Sequence, residues 1–401
     1  MTELAATPAA SLSRAFSLKP LMFETFVCSM AMMAFVALAG PLARVIGLAP
    51  WQVGAAMTVA GAAWMVMARV WGAASDKRGR RPVILLGLTG FAISYAALSL
   101  FIDLALRTAM LPVLAFVGLV LGRGLAGVFY AAVPATSTAL VADHVPPEGR
   151  AKAMAAVGAA SAAGMVVGPG FAGLMAPVNL SMPLYVTAVL PAVALVVLWR
   201  VLPKVEHRAL ADKAAPKLTD PRLRTAMTVA FTAMFSVAIA QIVVGFYALD
   251  RLDLTPAAAA NAAGVALAAV GVALVVAQLL LRRLSWSPAR FIQVGSVIGA
   301  VGFAAVMLAD GAALLWAGYA VAAFGMGWVF PSVSALAANA VDADEQGAAA
   351  GAIAAAQGLA IVLGPMIGTA VYAIDPRAPF ALMALMLVLI LVQVRPSQAK
   401  P

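Results

Sequence analysis

A soluble domain carries about 25% charged residues; this chain of 401 residues carries 10%, is 64% hydrophobic and has a mean hydropathy of +1.01. One cysteine and two histidines exclude an intrachain disulfide and any multi-cysteine metal site. The formal charge of +10 suggests nucleic acid in a soluble protein, but in a membrane protein an excess of Lys and Arg belongs to the loops on one side of the bilayer.

In chain order, residues 1–20 read as a polar tail, and no small-residue cleavage site follows the first apolar run, so that run reads as a retained helix. Apolar runs of about 20 residues, the length that crosses a bilayer, fall at 21–43, 51–73, 83–102, 111–137, 151–175 and 182–202. The stretch 203–223, PKVEHRALADKAAPKLTDPRL, is the longest polar segment and reads as a linker. Six further runs follow at 224–248, 257–281, 290–309, 312–338, 347–374 and 378–395, before a tail at 396–401. The expected fold is an all-α polytopic membrane protein of twelve transmembrane helices, in two six-helix bundles at 21–202 and 224–395.

With the N-terminus inside, one set of segments holds Arg14, Lys19, Lys77, Arg78, Arg80, Arg81, Arg150, Lys152, Arg200, Lys204, Arg208, Lys213, Lys217, Arg222, Arg224, Arg282, Arg283, Arg290, Arg395 and Lys400. The other set holds only Arg44, Arg107, Arg251 and Arg377, while Arg69 and Arg123 lie inside spans. This imbalance predicts cytoplasmic termini.

Within the first run, Glu24 stands inside a predicted span, whereas the other acids fall in loops, tails or helix ends. Burial favours the protonated carboxyl, which makes Glu24 the candidate for carrying a proton; the alternative is a side chain solvated beside Lys19. Between the second and third runs, GAASDKRGRRP (72–82) packs five charges into eleven residues. Asp76 suits the positive end of a helix, Gly79 allows a turn with φ > 0, and the arginines suit pairing or anionic lipid. A plain positive-inside anchor is the other reading. The corresponding LRRLSWSPAR keeps its positive charge but lacks the aspartate and glycine.

In the fourth run, Arg123, Gly127, Tyr130 and Pro134 fall at helical spacing on one face. An arginine at membrane depth needs a polar cavity, a partner or backbone carbonyls around it. Asp143, after this run, reads with Arg150 as part of a gate. The fifth run holds Gly164, Gly168, Pro169 and Gly173, and the eleventh repeats the pattern with Gly364, Pro365 and Gly368. Small residues permit close helix approach and a proline bends a helix, so a hinge and a generic packing face both fit. Tyr130, Gln241, Tyr247, Asn261, Gln278, Phe324, Trp328 and Gln357 are candidates to line an apolar cavity with a few amides.

These motifs resemble the major facilitator superfamily, and within it the twelve-helix drug:proton antiporter group, over nearly the whole chain. The most specific match is Gly72-x-x-x-Asp76-x-x-Gly79-Arg80-Arg81. The resemblance implies that this loop is a latch whose aspartate engages the opposing half in the outward-facing state. It also implies that Arg123 serves proton coupling or substrate contact, and that the fifth-helix pattern goes with exchange. Ala126, where the group often has glutamine, and Ala155 and Ala172, in place of flanking glycines, depart from the pattern.

The expected function is a secondary active transporter, a proton-coupled exporter of small amphipathic molecules such as drugs, siderophores or metabolites, working by alternating access. Its partners would be a small-molecule substrate, protons and membrane lipids. Nucleic acid, cofactor and metal are not expected, and the expected form is a monomer in the bacterial cytoplasmic membrane. An importer or uniporter of an organic solute is the alternative within transport. A membrane-embedded enzyme needs a nucleophile, metal or acid/base pair at depth, which the spans do not offer; a non-transporting receptor is the remaining class. No G-x-x-x-x-G-K-[ST] run is present for ATP. The deep charge being Arg123, with acids scarce, tilts the substrate toward a neutral, zwitterionic or anionic compound.

Overall fold

The computed structural model describes residues 17–202, 220–342 and 345–394. The predicted tails and linker therefore lie largely outside the described residues, at 1–16, 203–219 and 395–401. Thirteen α-helices follow in order among the described residues: α1 (Lys19–Ile46), α2 (Pro50–Arg78), α3 (Arg80–Arg107), α4 (Pro112–Tyr130), α5 (Ala132–His144), α6 (Pro147–Met175) and α7 (Met182–Val201), then α8 (Arg224–Asp250), α9 (Pro256–Leu281), α10 (Pro288–Met307), α11 (Ala312–Ala338), α12 (Gln346–Tyr372) and α13 (Ala378–Gln393). A short 3-10 turn, Pro221–Leu223, leads into α8. Eleven segments are long and apolar enough to cross a membrane, and α13, at 16 residues, is a shorter apolar helix that completes twelve.

The boundaries follow from local chemistry. Proline occupies the first turn of α1, α2, α4, α6, α9 and α10, where its missing N–H costs nothing. Thr255 and Ser287 accept hydrogen bonds from the first turns of α9 and α10. Gly47 closes α1 with φ +81°, and Gly79, at φ +92°, is the whole connection between α2 and α3. A side chain at either position would strain the backbone.

The fourth expected span is one crossing built from two helices, α4 and α5, with the break at Ala131. Pro134 explains it: proline has no N–H for the Tyr130 carbonyl four residues back, and its ring crowds that carbonyl. Ala131 keeps right-handed helical angles, so the chain bends without reversing.

The two halves repeat one packing plan. In the first, α1 packs on α6 and α7, α2 on α4, and α3 on α4 and α7; in the second, α8 packs on α12 and α13, α9 on α11, and α10 on α11 and α13. Between halves, α2 meets α12, α6 meets α9, and α1 meets α8 and α9. The many exposed Leu, Val and Ile side chains suit a surface in lipid, which is no less apolar than they are. Two tyrosine hydroxyls at depth are satisfied by carbonyls of neighbouring helices: Tyr95 donates to Ala31 O at 2.5 Å and Tyr319 to Ala240 O at 2.7 Å.

We call the end bearing residues 17 and 394 the inner end. At the outer end the halves are in close contact, at two of the points below backbone against backbone. A Cβ added at Gly40 would lie 2.6 Å from Phe246 N, one at Gly54 2.0 Å from Thr369 Oγ1, and one at Gly173 2.8 Å from Gly264 Cα. Toward the inner end these seams loosen. Along α2 and α12, Thr58 Oγ1 donates to Val362 O at 2.7 Å, a Cβ at Gly358 would reach Met65 Sδ only at 3.7 Å, and one at Gly72 would meet nothing within 4 Å. On α6 and α9 the contact between Val166 and Gly271 gives way to exposed Ala162, Ala163, Val275 and Val276. The molecule is closed outside and open inside.

Candidate functional site

Glu24 lies in the second turn of α1, completely buried. Thr25 Oγ1 donates to its Oε2 at 3.1 Å and Ser137 Oγ, from α5, at 3.2 Å, while Oε1 has no partner. Thr136, beside Ser137, also has a buried hydroxyl without a partner. The alternative of a solvated carboxylate beside Lys19 is thereby corrected: the bend at Ala131 sets α5 beside α1, and its hydroxyls enclose the acid.

One turn further along α1, Ser29 Oγ lies 3.2 Å from Tyr130 OH and 2.9 Å from Ser161 Oγ of α6. This small hydroxyl cluster joins α1, α4 and α6. Ser161 is half-buried.

Arg123 is 1% exposed. Its guanidinium stacks 4.6 Å from the Phe35 ring centroid, its Nη1 approaches Met32 Sδ at 4.0 Å, and its Nε has no partner. An arginine on an aromatic face keeps its charge without a carboxylate, and it retains N–H groups for an acceptor from outside the fold. Gly127 faces α2 instead, where a Cβ would lie 2.4 Å from Ala60 O. The face expected from spacing is therefore shared between two neighbours, Arg123 and Tyr130 turning to α1 and Gly127 to α2.

At the inner end, Arg80 gathers the loop. Its Nη1 donates to Ser75 Oγ at 2.7 Å and to Asp76 Oδ1, and its Nε to Asp143 Oδ2 at 2.8 Å. Arg81 donates to Trp199 O and Leu202 O, the exposed carbonyl end of α7. Asp143 and Arg150, read together as part of a gate, have separate partners: Asp143 takes Arg80, and Arg150 donates to Ala142 O at 2.8 Å. All of these bonds lie within the first half.

The repeated glycine and proline patterns do equivalent work. A Cβ at Gly164 would lie 2.2 Å from Phe26 O and one at Gly168 2.4 Å from Met30 O, both on α1; at Gly364 and Gly368 the neighbours are Ala238 and Ile239 of α8. Pro169 and Pro365 sit inside α6 and α12. Gly173 packs across the halves against Gly264, and Asn261 Nδ2 donates to Gly173 O at 3.1 Å, so Asn261 belongs to the closed outer seam.

The expected cavity residues separate. Gln278 is exposed toward the inner end, and Gln241 and Gln357 are half-buried, none with a side-chain hydrogen bond among the described residues. Tyr247 is fully buried instead, donating to Val306 O at 2.7 Å and stacking edge-on with Phe380. Trp328 donates to Ala277 O at 2.9 Å and packs among Phe324, Trp286 and Phe291. That correction has a simple cause: each aromatic carries a polar tip whose carbonyl partner lies in a neighbouring helix, which turns the ring into packing. Ser29, Ser137, Ser161 and Phe35 went unmarked by the sequence, since hydroxyls and rings are common throughout the spans.

The model of the Major Facilitator Superfamily matches residues 21–365 and 260–399. The chain is 29% identical over 328 residues to the class C tetracycline resistance protein of Escherichia coli, covering 76% of each. Among solved structures it resembles the human organic anion transporter MFSD10 (TETRAN), with TM-score 0.64, 20% identity and coverage of 94% and 98%. It also resembles a bacterial homologue of the human lysosomal transporter Spinster, inward-facing and unoccupied, with TM-score 0.73, 14% identity and coverage of 96% and 97%. These likenesses at low identity speak to the fold, and the family match to descent. Twelve crossings in two halves of one packing plan, closed at one end and open at the other, belong to a membrane transporter, and the chain belongs to the Major Facilitator Superfamily.

Proposed function

We propose that the protein is a proton-coupled exporter of amphipathic small molecules, with its inner end in the cytoplasm. The observation that carries this reading is Glu24, a wholly buried acid in a membrane-spanning helix with one carboxyl oxygen left without a partner. A buried carboxylate with no counter-ion is expensive, and an acid kept at membrane depth marks a proton or ion path. The arginine and lysine distribution supports the orientation, and the similarity to tetracycline resistance proteins supports export.

With the inner end open, substrate arrives from the cytoplasm or inner leaflet while Glu24 gives up its proton inward. With the outer end open, substrate leaves and Glu24 takes a proton from outside. One proton crossing 100 mV supplies about 2.3 kcal/mol, more than the ~1.4 kcal/mol of a tenfold gradient. Arg123, held by a ring rather than by an acid, favours zwitterionic or anionic amphipaths.

The test uses the purified protein in liposomes with an imposed pH gradient and tetracycline as probe. Wild type is expected to move tetracycline against its gradient. Glu24→Gln is expected to lose that gradient-driven movement and to keep exchange of labelled for unlabelled tetracycline. An unchanged pH dependence in Glu24→Gln would place the proton site elsewhere, and gradient-independent movement by wild type would make the protein a uniporter.

A further inference from the structure

The outer seam ends in a polar cluster that proton coupling does not use. Arg44 lies in the last turn of α1, Asp250 is the last residue of α8, and Tyr372 is the last residue of α12. Arg44 Nη2 donates to Asp250 Oδ1, and Tyr372 OH donates to Asp250 Oδ2 at 2.8 Å. Both carboxylate oxygens are thus engaged, and α1 of the first half is tied to α8 and α12 of the second.

The position of the acid is informative. Three helix C-termini converge here, each bearing partial negative charge. Arg44 is welcome in that field, but an aspartate at the C-terminus of α8 weakens its own helix. Local helix stability does not explain Asp250; its partners do. Inward of the cluster the seam is backbone and rings: a Cβ at Gly245 would lie 3.0 Å from Pro41 Cδ, and the Phe246 and Tyr372 rings are 5.9 Å apart. Between α6 and α9 the outer seam has a directional bond, from Asn261 Nδ2 to Gly173 O, but this packing of α1 and α12 against α8 seals without one. The rim supplies one, with Asp250 24% exposed and Arg44 52% exposed, so water can take over both charges when the helices part. At the inner end, by contrast, the bonds of Arg80 and Arg81 stay within the first half.

We propose that Arg44, Asp250 and Tyr372 form the outer gate: their clasp holds the outer end shut while the inner end is open, and it must break each time substrate is released outward. The proposal rests on the alternating-access reading above. The clasp positions helices and touches no substrate.

The experiment is carried out on the full chain in intact cells, with Cys28→Ser and Thr369→Cys, the latter buried against Gly54 in the outer seam. A membrane-impermeant maleimide then reports outer opening from outside. Arg44→Ala and Asp250→Asn are each expected to raise the labelling rate about fivefold, the shift that ~1 kcal/mol produces, and Tyr372→Phe to raise it less. Exchanging the charges, Arg44→Asp with Asp250→Arg, is expected to return labelling toward the starting rate, which a variant that merely loosens the fold would not do. Equal labelling in all variants, or no recovery in the exchanged pair, overturns the gate. Loss of tetracycline transport with this labelling pattern intact would remove the exporter reading and leave the gate standing.

Discussion

Arg123 shows how much of a site one residue type announces and how much it withholds. Its depth was legible, because an arginine in the middle of an apolar run has few affordable surroundings. That its companions are the Phe35 ring and Met32 was not, since both lie on another helix and many such side chains would serve. The stacking is worth about 0.5 to 2 kcal/mol, so Phe35→Leu is expected to weaken substrate affinity severalfold at preserved expression. Arg123→Ala is expected to abolish transport while the protein still inserts and purifies as wild type. Transport at normal rates by Arg123→Ala would take the residue out of the mechanism. Glu24 was likewise visible as an acid inside a span, but its burial depended on hydroxyls of α5 brought alongside by a bend.

At the level of elements, that bend is the feature on which the acid depends. Pro134→Ala is expected to join α4 and α5 into one continuous helix, shift Ser137 away from Glu24 and reduce proton-driven transport more than exchange. Measuring both modes in liposomes separates this from general damage. Gly72 poses the complementary case. Nothing lies within 4 Å of a Cβ there in the inner-open molecule, so Gly72→Leu is expected to leave folding and substrate binding from the inner side intact. The added side chain would instead obstruct closure of the inner seam and slow turnover; a turnover rate equal to wild type would mean that α2 and α12 never close over that position. Span limits in the second half were read to within about two residues because hydropathy, prolines and helix caps are local properties. In the first half α2, α3 and α5 run five to seven residues past the expected limits, where polar and charged residues continue the helix beyond the apolar run. Rotation of each helix about its axis was not, as Tyr247 and Trp328 illustrate: their spacing fits a cavity face, but their polar tips are satisfied by carbonyls of neighbouring helices.

For the whole molecule, the decisive relation is between its two ends. A clasp at the outer rim coexists with separated seams at the inner end, and alternating access requires the reverse arrangement in the other state. A further cluster, where Arg222 bonds Asp220 at 2.7 Å and Glu345 at 3.0 Å, ties the start of the second half to the α11–α12 connection. Hydrogen bonds from Arg222 hold both carboxyls below their ordinary values. Their contribution is therefore complete at neutral pH and lost only as the pH falls through those lowered values. Glu345→Gln is expected to leave the pH profile of transport unchanged between about pH 5 and 8, in contrast to Glu24→Gln, and a shifted profile would assign the cluster a part in coupling.

The amino-acid sequence by itself determined the class of molecule, its twelve crossings and the equivalence of its halves, because lipid imposes a length and a composition on every span and duplication repeats them. Only the tertiary structure decided which end is closed, and that Arg44 and Asp250, 206 positions apart, meet across the halves. Such contacts arise from the relative placement of two bundles of similar packing, and no local pattern in either bundle encodes that placement.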